Sequence, residues 1–294
     1  MSQDRGEATW RWEGGAGGIR TLWFDQPGTP QNFLDVSALD GLEARLNELE
    51  NDPSARGLVI RSAKPAGFCA GADLQTILSC RTPEECQAFV THGLRVLEHL
   101  SSLSVPTVAV IHGSCLGAGL ELALACRRRV AMASTAPIQV GVPEVHFGLI
   151  PAWGAITKLP RLIGPDDGLD LLITGRTIGY LLARSHGLVD RLASQDDSIE
   201  SLDVLGTDPA PERTWPKEVW DEAWNRAREA IDEQPGDFPE AQLQILTIVS
   251  IDLAHGREAA REATVEAMGE IAVSEDVRAA LAEFFDRRLS TAGG

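Results

Sequence analysis

Three short apolar runs, Gly57–Ser62, Pro106–His112 and Arg129–Ala133, alternate with stretches of helical periodicity in the first two thirds of the chain. Each reads as a buried-type strand, and strands alternating with helices indicate an α/β core. Ahead of them, Ala8–Glu13 and Ile19–Phe24 alternate in character across Gly14–Gly18, the pattern of a hairpin with a loose turn. Leu39, Leu42, Leu46 and Leu49 then fall at helical spacing, with Asp35 placed to cap the helix and Pro53 just beyond its end.

Further along, helices are predicted over about 83–100 and over Leu120–Cys126. A fourth short strand is predicted over Ile138–Val142, followed by a Pro/Gly-rich loop. The pattern changes near residue 194. Residues 195–216 are polar, acidic and proline-punctuated, as in a surface excursion. Beyond them Lys217–Glu233, Pro239–His255, Arg257–Val273 and Glu275–Leu289 all carry helical patterns. The predicted layout is an α/β core over 1–193 and a helical region over 194–294.

Composition narrows the function. Twenty-six basic against 43 acidic residues give a formal charge of −17, which repels a nucleic-acid backbone. The five cysteines are odd in number and form no C-x-x-C, which argues against a disulfide framework or zinc ribbon and for a reducing compartment. The start, M-S-Q-D-R-G-E, has no apolar run behind it, and no stretch approaches the ~18 apolar residues of a spanning helix. A soluble cytoplasmic protein with no nucleic-acid or membrane partner is expected. The six histidines show no paired metal spacing, so no metal site is expected.

Two segments share one form: a buried-type strand, a turn of small residues, then a helix. The first is Phe68–Leu74 (F-C-A-G-A-D-L), the second Gly113–Leu122 (G-S-C-L-G-A-G-L-E-L). Small residues let a ligand approach the backbone, and helix starts present unpaired amides, so two such starts facing one point would hold a developing oxyanion. The alternative is a pair of tight turns between packed elements. Glu121 lies inside the apolar run L-E-L-A-L-A, where burial disfavours the charged carboxylate and suits it to proton transfer near neutral pH. Glu144, in G-V-P-E-V-H-F-G, is also flanked by apolar and turn residues. Two carboxylates beside one water could divide the acid and base roles, though spacing alone does not show that they meet.

The strings A-G-A-D-L at Ala70–Leu74, L-G-A-G-L-E-L-A-L-A-C at Leu116–Cys126 and G-V-P-E-V-H-F-G-L-I-P at Gly141–Pro151 resemble the enoyl-CoA hydratase/isomerase (crotonase) superfamily. G-R-T-I…S-H-G-L-V-D at Gly175–Asp190 and the final Ser274–Arg288 helix are also similar, so the likeness runs from about Trp10 to Arg288. S-A-K-P-A-G-F-C-A-G-A-D at Ser62–Asp73 looks most like the hydratase domains of multifunctional fatty-acid oxidation proteins, although no G-x-G-x-x-G dinucleotide motif follows any strand. The resemblance implies a crotonase-type ββα spiral with a C-terminal helical trimerisation region, assembling as a homotrimer or dimer of trimers. It implies an acyl-CoA substrate and no separate cofactor, coenzyme A being part of the substrate.

By the same resemblance, the backbone amides of Ala72 and Ala118 form the oxyanion hole and Glu121 and Glu144 are the catalytic pair. Lys64, Ala70, Asp73, Ala152, Trp153 and Arg287 fall at substrate- or coenzyme-A-contacting positions, Arg287 across a subunit boundary. Relatives with hydratase activity generally keep both glutamates, whereas several isomerases keep only the second. The implied reaction is therefore addition of water to a 2-enoyl-CoA, with Glu121 accepting a proton from water and Glu144 supplying one to C2. Rival readings are isomerisation, another thioester-enolate chemistry such as retro-aldol or hydrolytic cleavage, and a non-catalytic acyl-CoA-binding subunit.

One loop departs from the family's P-G-x-G-G-T. Here it is Pro151-Ala152-Trp153-Gly154-Ala155-Ile156-Thr157, with alanine at two glycine positions and a bulky Trp153 to narrow an acyl pocket or pack in the core. His146, two residues past Glu144, reads as structural, and Cys69 and Cys115 as small apolar packing. Trp215, Trp220 and Trp224 read as a buried stripe or an oligomer contact. Arg127-Arg128-Arg129 is too short and isolated to suggest nucleic acid.

Overall fold

A computed structural model of the chain describes residues 9–14, 16–133, 137, 139–194, 197 and 213–292. The acidic start, most of the 195–216 excursion and Ile138 lie outside the described residues. The chain forms two compact units that interleave in sequence: residues 1–72, 92–141 and 177–213 form the first, and 73–91, 142–176 and 214–294 the second.

All described strands belong to the first unit. They are β1 (Trp10–Gly14), β2 (Ile19–Phe24), β3 (Gly57–Ser62), β4 (Gly67–Cys69), β5 (Thr107–Ile111), β6 (Ser114–Leu116), β7 (Arg128–Met132), β8 (Gln139–Gly141) and β9 (Arg191–Ala193). One sheet has the order β1-β2-β3-β5-β7-β9 and the other β4-β6-β8. The expected hairpin is present, with Trp10 opposite Phe24 in antiparallel register. The pairings beyond it in both sheets are parallel. Each long strand β3, β5 and β7 is followed by a short one, β4, β6 and β8, and each such pair moves one place along both sheets. A helix or helical turn follows each short strand in the chain, which gives the sequence order of a ββα repeat. The three-residue strands β4, β6 and β9 escaped the sequence reading because they are too short to show alternation, whereas β8 falls within the predicted Ile138–Val142.

The core of the first unit follows from its patterns. The Trp10 and Phe24 rings stack with centroids 4.1 Å apart, and the Trp10 indole N–H donates to Ala38 O. The helix Val36–Glu50 buries Leu39, Leu42, Leu46 and Leu49, each burial contributing about 1.5–3 kcal/mol. Its start is fixed as expected, with the Asp35 carboxylate accepting the Ala38 N–H at 2.7 Å. Its polar edge meets the Pro83–Ser102 helix through Asp40–His92, Glu43–Arg95 and Glu50–His99.

The second unit is helical. The Pro/Gly-rich loop expected after Val142 is instead a 3-10 turn, Pro143–Phe147, followed by the helices Ala155–Ile163 and Pro165–Thr174. Prolines here start helices rather than end them: Pro143 and Pro165 occupy the first helical positions, where no intrahelical N–H bond is lost. The helices Lys217–Glu233 and Pro239–His255 match the sequence expectation, and Arg257–Ala272 ends one residue early. Of the tryptophan stripe, Trp220 is buried under the Arg161 guanidinium, Trp224 donates to Leu246 O and Trp215 lies against Gly164. Among the described residues no helix is long and apolar enough to cross a membrane, and no group of three or more His, Cys, Asp or Glu could hold a metal ion.

Candidate active site

The parallel pairing of β4 with β6 sets Cys69 beside Cys115, which brings the two small-residue turns together within the first unit. Absent side chains make this possible. A Cβ on Gly119 would sit 2.5 Å from Cys69 O, and one on Gly71 would sit 3.3 Å from Leu116 O and 3.8 Å from Ala118 N. Ala118 is the first residue of the helix Ala118–Ala125, after Gly117 at φ 52°. The Gly117 carbonyl accepts the N–H groups of Leu120 and Glu121. Among the described residues, neither Ala72 nor Ala118 donates its backbone N–H to a carbonyl. Two amides, one of them at a helix start, are thus left without a backbone acceptor, and amides of this kind are able to receive an anionic oxygen.

Glu121 is the fourth residue of that helix and is 2% exposed, as its apolar surroundings predict. Every residue from Ala118 to Ala125 is buried, so the helix has no wet face to which the carboxylate could turn. Such a placement carries a desolvation cost that packing alone does not explain. Cys69 and Cys115 are packing residues: burial pushes the Cys69 thiol up to about 12 and the Cys115 thiol well above its ordinary value.

In the second unit, Glu144 is the second residue of the Pro143–Phe147 turn and is half-buried. Its carbonyl accepts the Leu149 N–H, and Gly148 closes the turn at φ 71°. His146 bonds through Nε2 to Thr174 O at 2.9 Å, a structural contact. Trp153 is buried against Phe89, the rings 5.5 Å apart and edge-to-face, and Ala152 beside it is also buried. Of the two alanines at glycine positions, Ala155 opens the Ala155–Ile163 helix, where φ is negative and alanine is favoured. The glycine that remains, Gly154, takes φ 116°.

The contacting residues inferred for coenzyme A are engaged locally. Lys64 is mostly buried and pairs with Asp25 at 3.0 Å, and His112 Nε2 lies 2.8 Å from the Lys64 carbonyl. Ala70 donates its N–H to Asn32 O. Asp73 caps the Leu74–Ser79 helix, accepting from the Gln75 and Thr76 N–H groups. Arg287 is exposed and pairs with Glu283 one turn away.

Two constellations escaped the sequence reading. Asn32 is completely buried and donates from Nδ2 to Phe24 O, Ser62 Oγ and Phe68 O, while its Oδ1 accepts the Gln26 N–H. The only available signal was a polar residue beside Phe33-Leu34. Asp190, the last residue of G-L-V-D, receives Arg128 Nη1 at 2.9 Å and both the backbone N–H and Nη2 of Arg129, at 2.7 and 3.0 Å. The arginine triplet is thus a structural clamp, with Arg127 bonding Leu103 O.

Comparison with known proteins agrees with this fold. The sequence profile described as Enoyl-CoA hydratase/isomerase matches residues 15–205. The chain is 33% identical over 279 residues to the fatty acid oxidation complex subunit alpha of Vibrio vulnificus, covering 91% of this chain but only 39% of that protein. Its fold is similar to the enoyl-CoA hydratase of Bacillus halodurans, with TM-score 0.65 at 20% identity over 94% of this chain and 99% of the other. It is similar too to an enoyl-CoA hydratase/isomerase of Mycobacterium paratuberculosis, with TM-score 0.65 at 22% identity over 94% and 98% of the two chains. With its ββα repeat and the profile match across about two thirds of its length, the chain belongs to the enoyl-CoA hydratase/isomerase (crotonase) family.

Proposed function

We propose that the protein is a 2-enoyl-CoA hydratase. The observation that carries this reading is Glu121, a buried carboxylate one turn beyond the open amide of Ala118. The thioester carbonyl lies between the amides of Ala72 and Ala118, which stabilise the enolate-like charge that grows on oxygen as water attacks C3. Each such contact lowers the barrier by about 3 kcal/mol. Glu121 takes a proton from the attacking water and Glu144 gives one to C2. The products balance as one water and one enoyl thioester giving one 3-hydroxyacyl thioester, with no cofactor consumed.

Lys64 and Arg287 hold the nucleotide end of coenzyme A, Arg287 from a neighbouring subunit of a homotrimer or a dimer of trimers. Ala70, Asp73, Ala152 and Trp153 complete the substrate contacts. The likeness to a fatty acid oxidation complex subunit supports a role in the breakdown of fatty acyl thioesters.

Product analysis with crotonyl-CoA and with a 3-enoyl-CoA tests the assignment. Hydration of crotonyl-CoA that falls at least 100-fold in both Glu121→Gln and Glu144→Gln supports it, on the scale of general acid–base catalysis. Conversion of 3-enoyl- to 2-enoyl-CoA without hydration makes the protein an isomerase, and binding without turnover makes it a carrier.

A further inference from the structure

The segment Asn32–Leu34 runs beside the first turn of the site like a short extra strand. Asn32 O accepts the Ala70 N–H at 2.9 Å, Leu34 N donates to Gly71 O at 2.9 Å, and Leu34 bridges Ala72 in parallel register. This strap leaves the Ala72 N–H aimed away from it, because in a parallel bridge one strand uses alternate amides. Whatever fixes Asn32 therefore fixes the register and direction of Ala72.

The Asn32 side chain is built for that task. Its Nδ2 reaches the carbonyls of Phe24, at the end of β2, and Phe68, in β4, and the hydroxyl of Ser62, at the end of β3. Phe24 O and Phe68 O can only accept, and the Gln26 N–H at Oδ1 can only donate, so the partners define which amide atom is which. Ser62 spends its one hydroxyl proton on Gly67 O at 2.6 Å and accepts from both Asn32 Nδ2 and the Lys64 N–H. Gln26 lashes the strap from outside, its Oε1 taking the Phe33 N–H and its Nε2 donating to Asp35. Through Phe68 O and, by way of Ser62, Gly67 O, these bonds reach the strand that leads into the turn carrying Ala72.

We propose that Asn32, locked by Ser62, is a positioning residue that holds the Ala72 amide in line with that of Ala118 to receive the thioester oxygen. This rests on the acyl-CoA reading above and names a residue outside the motifs that suggested it. The nearly isosteric Asn32→Asp puts a carboxylate oxygen against two carbonyls. Ser62→Ala is the milder variant, since it keeps the Asn32 side chain and removes only one of the partners that lock it.

The test compares wild type, Asn32→Asp and Ser62→Ala at a temperature where circular dichroism shows each folded. It reads kcat and KM for crotonyl-CoA, and the shift to longer wavelength of bound cinnamoyl-CoA, which reports charge drawn onto its carbonyl oxygen. We expect kcat to fall about tenfold or more with KM changed less than about threefold, and the shift to shrink in step, as for a displaced oxyanion donor. Variants that melt earlier but keep kcat and the full shift overturn the proposal and make Asn32 purely structural. If Asn32→Asp does not fold, Ser62→Ala decides the matter by the same two readouts. A wild-type protein that binds cinnamoyl-CoA without any shift counts against the oxyanion assignment itself, and the role of Asn32 falls with it.

Discussion

Replacing Gly119 by alanine isolates the frame that holds the two turns. In an open helix the change is favourable by about 0.8–1 kcal/mol, because alanine has the higher helix propensity. Here the new Cβ meets Cys69 O at 2.5 Å, Cys69 Cβ at 2.7 Å and Cys69 C at 2.9 Å, and the neighbours are backbone or held by it. Restoring ordinary contact requires the helix start and the Cys69 turn to separate by about 1 Å. A displacement of that size at a site of this kind costs about 100-fold in rate, equivalent to about 2.7 kcal/mol. Overpacking adds about 1–3 kcal/mol of instability. The assay is kcat/KM for crotonyl-CoA beside a thermal melt, with Gly179→Ala as control, since a Cβ there meets nothing within 4 Å. A Gly119→Ala protein with kcat/KM within threefold of wild type refutes the claim that this contact sets the spacing of the amides.

Other expectations follow from particular contacts. Asp190→Ala leaves Arg129 buried, its charge already disfavoured by desolvation, and lowers stability by roughly 3 kcal/mol in urea unfolding. Adding Arg129→Met recovers part of that loss, and a double variant as unstable as the two singles combined would show that the pair is not coupled. The Asp52 carboxyl, held at about 2 by hydrogen bonds from Ser54 and the Arg20 guanidinium, stabilises the fold above the ordinary carboxylate range. Asp52→Ala therefore melts below wild type at pH 7, and the gap closes as pH falls from about 4 through 2. A gap that persists at pH 2 assigns the effect to lost packing instead. Trp153→Ala, which empties a buried site beside Phe89, costs about 3–5 kcal/mol by thermal melt, and a loss under 1 kcal/mol would mean that the surroundings collapse into the space.

Features that depend on near neighbours in the chain were readable in advance. The Val36–Glu50 helix, its Asp35 cap and the burial of Glu121 all follow from spacing within a few residues. The helices Ala155–Ile163 and Pro165–Thr174 were hidden because prolines and glycines, usually breakers, stand there at helix starts and ends. Pro160 lies inside the first of them, and its Cα would be 2.4 Å from a Cβ on Gly168, so two helices touch where the sequence reading assigned no element. Asn32 could not be read because its partners, Phe24 O and Phe68 O, are backbone atoms that any residue would supply. Lys64 and Asp73 have local roles that the resemblance did not signal: one pairs with Asp25 and the other caps a helix.

The five buried cysteines have a practical consequence. Sulfhydryls enclosed in this way meet an alkylating agent only when the surrounding chain opens. The rate at which a dilute solution consumes iodoacetamide is then a clock for that opening, readable by mass spectrometry with no probe introduced. Since Cys69 and Cys115 flank the paired turns while Cys80 and Cys86 belong to the helical unit, peptide-resolved labelling would time the two units separately in a single experiment.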